Sequence, residues 1–387
     1  MATPTYSYVD RNRANNVSVH WCRVRGDGPV TDDSETYFDR IVDEEQLADY
    51  LEAELGPVET YDVAHHQEGH SNETLFVTWG DQGLVIRRPP PGETADKAHD
   101  VLREYKVVDA LQDTDVRVPT TVAATDDHDV IGSEFYVMER EEGTVLRAEE
   151  PERFQNADAR RQVGAELVDR LAEIHAVDYE AVGLGEFGYP EGFAQRQVKR
   201  WSEQFEWAFQ VTTEEREVPV VRDVMEWLQA NAPEDHPETL VHGDYKLDNV
   251  MYAPADDPEI ASIFDWEMST LGDPLTDLGW MLSYWWDAKD PAPPESTDTL
   301  STTFMANDDY MTRQELVARY EDATGFEFEH ERFYRALAVY KLAALGEMFF
   351  RRFLEGNSDD PMYPKMREGV PALADRAQRI IDGEEPL

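Results

Sequence analysis

Within residues 239–267, TLVHGDYKLDNVMYAPADDPEIASIFDWE, the triplet His242-Gly243-Asp244 opens a loop that closes at Asn249, and Asp265 follows a turn-rich gap and an apolar run. Phosphoryl transfer from a nucleotide to a hydroxyl needs such a set. A carboxylate must take the hydroxyl proton, and hard oxygen ligands must hold Mg²⁺ against the phosphates. Asp244 is the candidate base, with Asn249 and Asp265 as candidate metal ligands. The competing reading is a turn-rich linker in a chain so acidic that any window contains carboxylates. The placement of Gly243 and Asn249 alongside the acids weighs against it.

These groups need elements to hold them. Leu240 and Val241, Val250 to Tyr252, and Ile260 to Phe264 read as short apolar strands, which puts the polar side chains at strand ends. On the same reading Glu267 shares a strand face with Asp265 by period two, as a further metal ligand or a salt-bridged acid. Upstream, Asp43 to Leu55 is a helix by its apolar spacing, capping a first domain. Leu75, Val77, Leu84 and Ile86 flank a turn at Gly80 to Gly83, which is a hairpin pattern. The loop Glu68 to Thr74 leads into it, and its Ser71 and Asn72 are candidates to lie over phosphates. Arg87 ends the second strand on the side opposite Ile86, where a cation can reach phosphates. A helix over Asp96 to Leu111 carries Glu104 within reach of Arg87.

Strands at Val118 to Ala124 and Phe135 to Met138 surround a polar turn at Asp126 to Asp129, and Glu139 to Gly143 reads as a hinge. Beyond it the apolar period becomes helical, first from Ala159 to Val177, where His175 reads as a core histidine. Ala336 to Phe350 is a core helix, too charged and too short for a membrane span. The expected organisation is an extension over residues 1–36, a small sheet domain over 37–139 and a larger helical domain over 140–387, with the chemistry near their junction.

The chain has 387 residues, enough for two or three domains, and its 35 Lys+Arg against 82 Asp+Glu give a net charge of -47. Such a charge repels nucleic acid and anionic membranes. Because the excess is spread along the chain and lysine occurs only at positions 97, 106, 199, 246, 289, 341 and 365, it resembles a solvent adaptation of salt-accumulating microbes. A cationic substrate is therefore not inferred from charge. Cys22 stands alone, which excludes an intramolecular disulfide. The first residues show no apolar signal region, so a soluble cytoplasmic protein is expected.

VHGDYKLDN resembles the HGDxxxxN catalytic loop of the aminoglycoside phosphotransferase and choline kinase group, and IFDWE resembles its metal-binding strand. LVIRRPPPG, REYKVVDAL, FYVMEREEG and GDPLTDLGW fit the third strand, the ion-pair helix, the hinge strand and the segment after the metal strand. With RQVKRW at 196–201 they look most like the branch related to the kinase domain of certain acyl-CoA dehydrogenase fusion proteins. The resemblance implies an α+β, bilobal protein-kinase-like fold, with a small antiparallel sheet lobe and a mainly helical second lobe. It implies that Asp244 is the base, that Lys246 neutralises the transferring phosphate, that Asn249 and Asp265 hold Mg²⁺, and that Asp277 braces the catalytic loop. Backbone groups at Glu139 would hold adenine. Arg87 departs from the family, which keeps a lysine there; Arg88 is the alternative cation, turned to the other face by alternation.

The expected activity is an ATP-dependent, Mg²⁺-requiring kinase acting on a small-molecule hydroxyl. A pseudokinase-like nucleotide-binding scaffold and an aminoglycoside-type antibiotic phosphotransferase are the alternatives. The aromatic segments Trp201 to Phe209 and Trp280 to Trp286 are candidates to line an acceptor pocket, although core packing explains them equally well. A hydroxyacyl thioester is the acceptor suggested by the branch, while choline, a sugar or an amino alcohol remain open, and the oligomeric state is not legible.

Overall fold

The computed structural model describes residues 37–66, 72–91, 100–234, 236–297, 303–358 and 360–387. The expected N-terminal extension and Ser71 lie outside these residues, and the helix expected from Asp96 begins only at Val101, capped by Asp100.

The first half of the chain builds a five-stranded antiparallel sheet in the order β1-β2-β3-β5-β4. Its strands are β1 (Tyr61–His66), β2 (Glu73–Trp79), β3 (Gln82–Arg88), β4 (Thr121–Thr125) and β5 (Phe135–Glu139). Alternation sorts its side chains. Leu75, Val77, Leu84, Ile86, Phe135 and Val137 face a core closed by α1 (Tyr37–Ile41) and α2 (Glu44–Leu55). Val85, Tyr136 and Met138 face the other way, onto Val101 of α3 (Val101–Ala110). Arg87 takes that second face, toward α3. Arg88 takes the first, where its guanidinium is buried and donates to the carbonyls of Pro89 and Ile131, so it serves the core.

Two expectations for this half need correction, and one strand was not anticipated. The hairpin turn is the two-residue Gly80-Asp81, since Trp79 already pairs with Gln82. β1 was not legible as a strand, because its alternation of half-buried and exposed positions is weak at an edge. The polar turn after β4 winds into the short helix α4 (His128–Ile131), with Asp127 accepting from the Asp129 amide.

The second half is mainly helical: α5 (Ala157–His175), α6 (Phe193–Thr212), α7 (Val220–Asn231), α8 (Leu275–Tyr284), α9 (Arg313–Thr324), α10 (Glu331–Leu354) and α11 (Met366–Asp382). Of these, α10 is buried nearly all round, packed by α6, α8 and α11, and for that reason shows little amphipathic pattern. Among the described residues no helix is long and apolar enough to cross a membrane.

Two small ladders lie within this half. β6 (Thr239–Val241) pairs with β9 (Thr270–Gly272), and β7 (Val250–Tyr252) pairs with β8 (Ile260–Ile263). The loop from His242 to Asn249 leaves β6 and enters β7, and Asp265 follows β8. Both acidic positions are thus pinned by hydrogen-bonded strands on either side.

Candidate active site

Gly243 sets the shape of the loop. Its φ is 82°, and a Cβ there would meet the Met268 carbonyl oxygen at 2.5 Å, so only glycine fits. The amides of His242 and Gly243 donate to the Asp277 carboxylate at 2.6 and 2.8 Å. Asp277 is buried. Burial pushes its carboxyl up, but His175, at 3.3 Å, and the two amides outweigh this and hold it below the usual range. His175 in turn meets the Tyr320 hydroxyl at 2.6 Å, so the core histidine of α5 also supports the loop. His242 donates through Nε2 to the Phe264 carbonyl and accepts the Asp244 amide at Nδ1, a pattern that requires the neutral ring. Its burial lowers the pKa accordingly.

The Asp244 carboxylate accepts from three donors. Lys246 Nζ and Asn249 Nδ2 reach Oδ2 at 2.6 and 2.9 Å, and the Trp280 indole Nε1 reaches Oδ1 at 2.8 Å. Burial opposes its ionisation, yet Lys246 and Lys341 keep the carboxyl below the ordinary value. Asn249 Nδ2 also donates to the Asp244 carbonyl at 2.8 Å. Both amide hydrogens are therefore directed at Asp244, and the side-chain oxygen of Asn249 is turned elsewhere.

Asp265 lies across from this group in the left-handed region, with φ 66°. For a non-glycine residue that conformation carries strain. Its Oδ1 is buried, accepts no hydrogen bond and stands 3.5 Å from Arg87 Nη2. Burial, joined by the charge of Asp244 and partly offset by Arg87, pushes its carboxyl up. An added cation between the two acids would relieve that.

Arg87 also reaches Glu104 Oε2 at 3.5 Å and Thr74 Oγ1 at 3.3 Å. Glu104 is only 2% exposed. Burial raises its pKa against the pull of Arg87, and the Trp266 backbone and the Tyr136 hydroxyl complete its partners. One guanidinium thus joins the sheet, α3 and Asp265.

Glu267 is not on a strand. β8 ends at Ile263, and Trp266–Met268 is a 3₁₀ turn, so the period-two argument fails. Its carboxylate accepts from Asn72 Nδ2 at 3.3 Å, which brings Asn72, immediately before β2, to the acidic side of the site. Glu139 stands apart, at the end of β5 opposite Leu84, with its side chain exposed and its amide donating to Thr120 O at 2.8 Å.

Two participants were missed in the sequence. Trp280 read as an acceptor-pocket or core aromatic, and Lys341 as a charge interrupting a core helix. Lys341 Nζ donates to the Gly243 carbonyl at 2.5 Å and lies 3.8 Å over the Trp280 ring. The scarcity of lysine was the available signal for Lys341, as it was for Lys246. Trp280 had none, being one of nine tryptophans.

The model of the phosphotransferase enzyme family matches residues 62–334. The human acyl-CoA dehydrogenase family member 11 is 32% identical over 303 residues, which is 77% of this chain but 37% of that protein. This chain therefore spans well under half of that relative. A Ralstonia eutropha structure provisionally described as an aminoglycoside phosphotransferase superposes with a TM-score of 0.75 at 28% identity, over 88% of this chain and 98% of the other. Choline kinase from Cryptosporidium parvum shares the fold alone, with a TM-score of 0.60 at 11% identity over 88% of this chain and 97% of its own. The shared architecture is the bilobal, protein-kinase-like α+β fold.

Proposed function

This chain belongs to the phosphotransferase enzyme family, and from that premise we propose that it is a kinase that moves the γ-phosphoryl group of ATP, with Mg²⁺, onto a hydroxyl of a small molecule. The observation that carries the reading is the pairing of an Asp244 carboxylate held by three donors with an Asp265 oxygen that accepts no hydrogen bond.

Asp244 is the proposed base. A carboxylate this well solvated by donors is a weak proton acceptor in the ground state. Its work is to orient the acceptor hydroxyl and to take its proton late, as the oxygen–phosphorus bond forms and the bond to the leaving ADP breaks. Lys246, paired with Asp244 at 2.6 Å, is the proposed cation for the transferring phosphoryl group. The Asn249 oxygen and Asp265 are the proposed Mg²⁺ ligands, with phosphate oxygens needed to fill the shell. Bound there, Mg²⁺ would offset charge on the phosphates. Arg87, held by Glu104, is the proposed phosphate contact from the sheet lobe, and the loop carrying Ser71 and Asn72 is proposed to cover the phosphates. Glu139 has spent its amide on Thr120, which leaves its carbonyl as the group it offers to adenine. Solved phosphotransferases with this fold hold GDP or AMP-PNP, which supports a nucleotide as donor.

For the acceptor, the likeness to an acyl-CoA dehydrogenase relative supports a hydroxyacyl thioester. ATP consumption measured against a panel of hydroxylated metabolites, hydroxyacyl thioesters included, tests the class. Asp244→Asn is expected to lower kcat about 10³-fold or more while nucleotide affinity stays within about threefold. Full turnover by that variant in high salt would remove Asp244 from its role.

A further inference from the structure

In the middle of α10 lies a cation that the proposed chemistry does not use. Lys341 is 9% exposed and sits in the helical core, and its Nζ finds a carbonyl and aromatic faces. A buried ammonium is costly unless its partners repay the lost hydration, and a methionine of similar length would fill the space without that cost.

What Lys341 touches suggests its purpose. Its Nζ donates to the Gly243 carbonyl at 2.5 Å, in the residue immediately before Asp244. Asp277 holds the amide of the same glycine at 2.8 Å, so the loop backbone is gripped at both ends of one residue. The ammonium also lies 3.8 Å over the Trp280 ring and 5.5 Å from that of Trp201. Trp280 passes the contact on, since its Nε1 donates to Asp244 Oδ1 at 2.8 Å.

We propose that Lys341 is a positioning residue for phosphoryl transfer: it pins the Gly243 carbonyl and the Trp280 indole, and through both it fixes the Asp244 carboxylate. The two routes converge on one side chain from different elements, the loop after β6 and α8. Both routes run through protein groups, the Gly243 carbonyl and the Trp280 indole. The proposal rests on the kinase reading of Asp244, and its test keeps the two separable.

The test uses the full chain with Lys341→Met and Lys341→Arg. Lys341→Met keeps the length and loses the charge. Arginine can still donate to a carbonyl and stack on indole. Lys341→Met is expected to lower kcat about 10- to 100-fold, with nucleotide KM changed by less than about twofold, because misplacement of a reacting group falls on the chemical step. Lys341→Arg should recover most of that loss. The indole ¹⁵N–¹H resonance of Trp280, assigned by its absence in Trp280→Phe, should move in Lys341→Met and return toward its place in Lys341→Arg. An unmoved resonance in Lys341→Met overturns the proposal whatever the activity. So does a kcat loss that Lys341→Arg shares in full alongside an equal fall in Tm, since that describes a packing role. If Lys341→Met does not fold, Lys341→Arg decides: wild-type resonance and kcat support the proposal, and a displaced resonance with kcat intact overturns it. If the wild-type protein turns over no nucleotide with any acceptor while the resonance still moves, the kinase reading has failed and the positioning contact stands.

Discussion

At the scale of single residues, the site depends on how charge is held out of water. Asp244 is half-buried and Lys341 buried, and each makes the other's charge less costly. For Lys341 the balance is unfavourable. Burial pulls its pKa from 10.5 down to about 8, with Lys246 and Arg200 adding to the fall and Asp244 and Asp277 resisting it. Because the folded value lies below the unfolded one, the unfolded chain holds more protons between about 8 and 10.5, and the cost of burying Lys341 is relieved as pH rises through that window. If its charge positions Asp244, kcat should decline above pH about 8, approaching tenfold per pH unit. Lys341→Arg, which stays charged, should keep a flat profile there. Matching profiles for the two proteins would show that another group controls the alkaline limb.

At the scale of elements, strand alternation and a few enforced turns do the positioning. Period two sends Arg87 to the α3 side of the sheet and Arg88 to the other, which decides between two adjacent arginines that composition cannot separate. Where alternation stops, inference from it fails, as Glu267 shows by lying in a 3₁₀ turn. Gly243 is the enforced turn. Gly243→Ala must adopt a positive φ and move the Met268 carbonyl, at a cost on the order of 2–4 kcal/mol. Urea denaturation at fixed KCl should register that loss, together with reduced kcat. A stability change below about 0.5 kcal/mol would mean that the loop has another conformation open to it.

At the scale of the whole molecule, charge sets the conditions under which the fold holds. A net charge of -47 opposes compaction, and many of the arginines are committed to ion pairs. Glu385, near the C-terminus, shows the local solution: Arg313, Arg335, Arg376 and Arg379 approach it from α9, α10 and α11 at 3.0 to 3.8 Å. Solvent adaptation, if it is the meaning of the acidity, predicts that added salt screens the remaining acids. Raising KCl from about 0.1 M to about 2 M shortens the screening length from roughly 10 Å to roughly 2 Å, so Tm should rise by at least about 5 °C. A Tm that is flat or falls over that range would count against solvent adaptation as the meaning of the acidity.

The sequence by itself determined the chemistry on offer. The types and spacing of His242, Gly243, Asp244, Asn249 and Asp265 are local properties, and so are the strand and helix periods that bracket them. The order of a sheet-rich half and a helical half was legible for the same reason, since a change of period is visible in any window that spans it. Only the tertiary structure decided which distant side chains complete the site. Trp280 reaches Asp244 from 36 positions away, and Lys341 reaches Gly243 from 98. In the sequence each was one more aromatic or one more charge on a core helix. What sets them apart is the packing of α8 and α10 beneath the loop, because a buried cation acquires a role only from the groups that surround it.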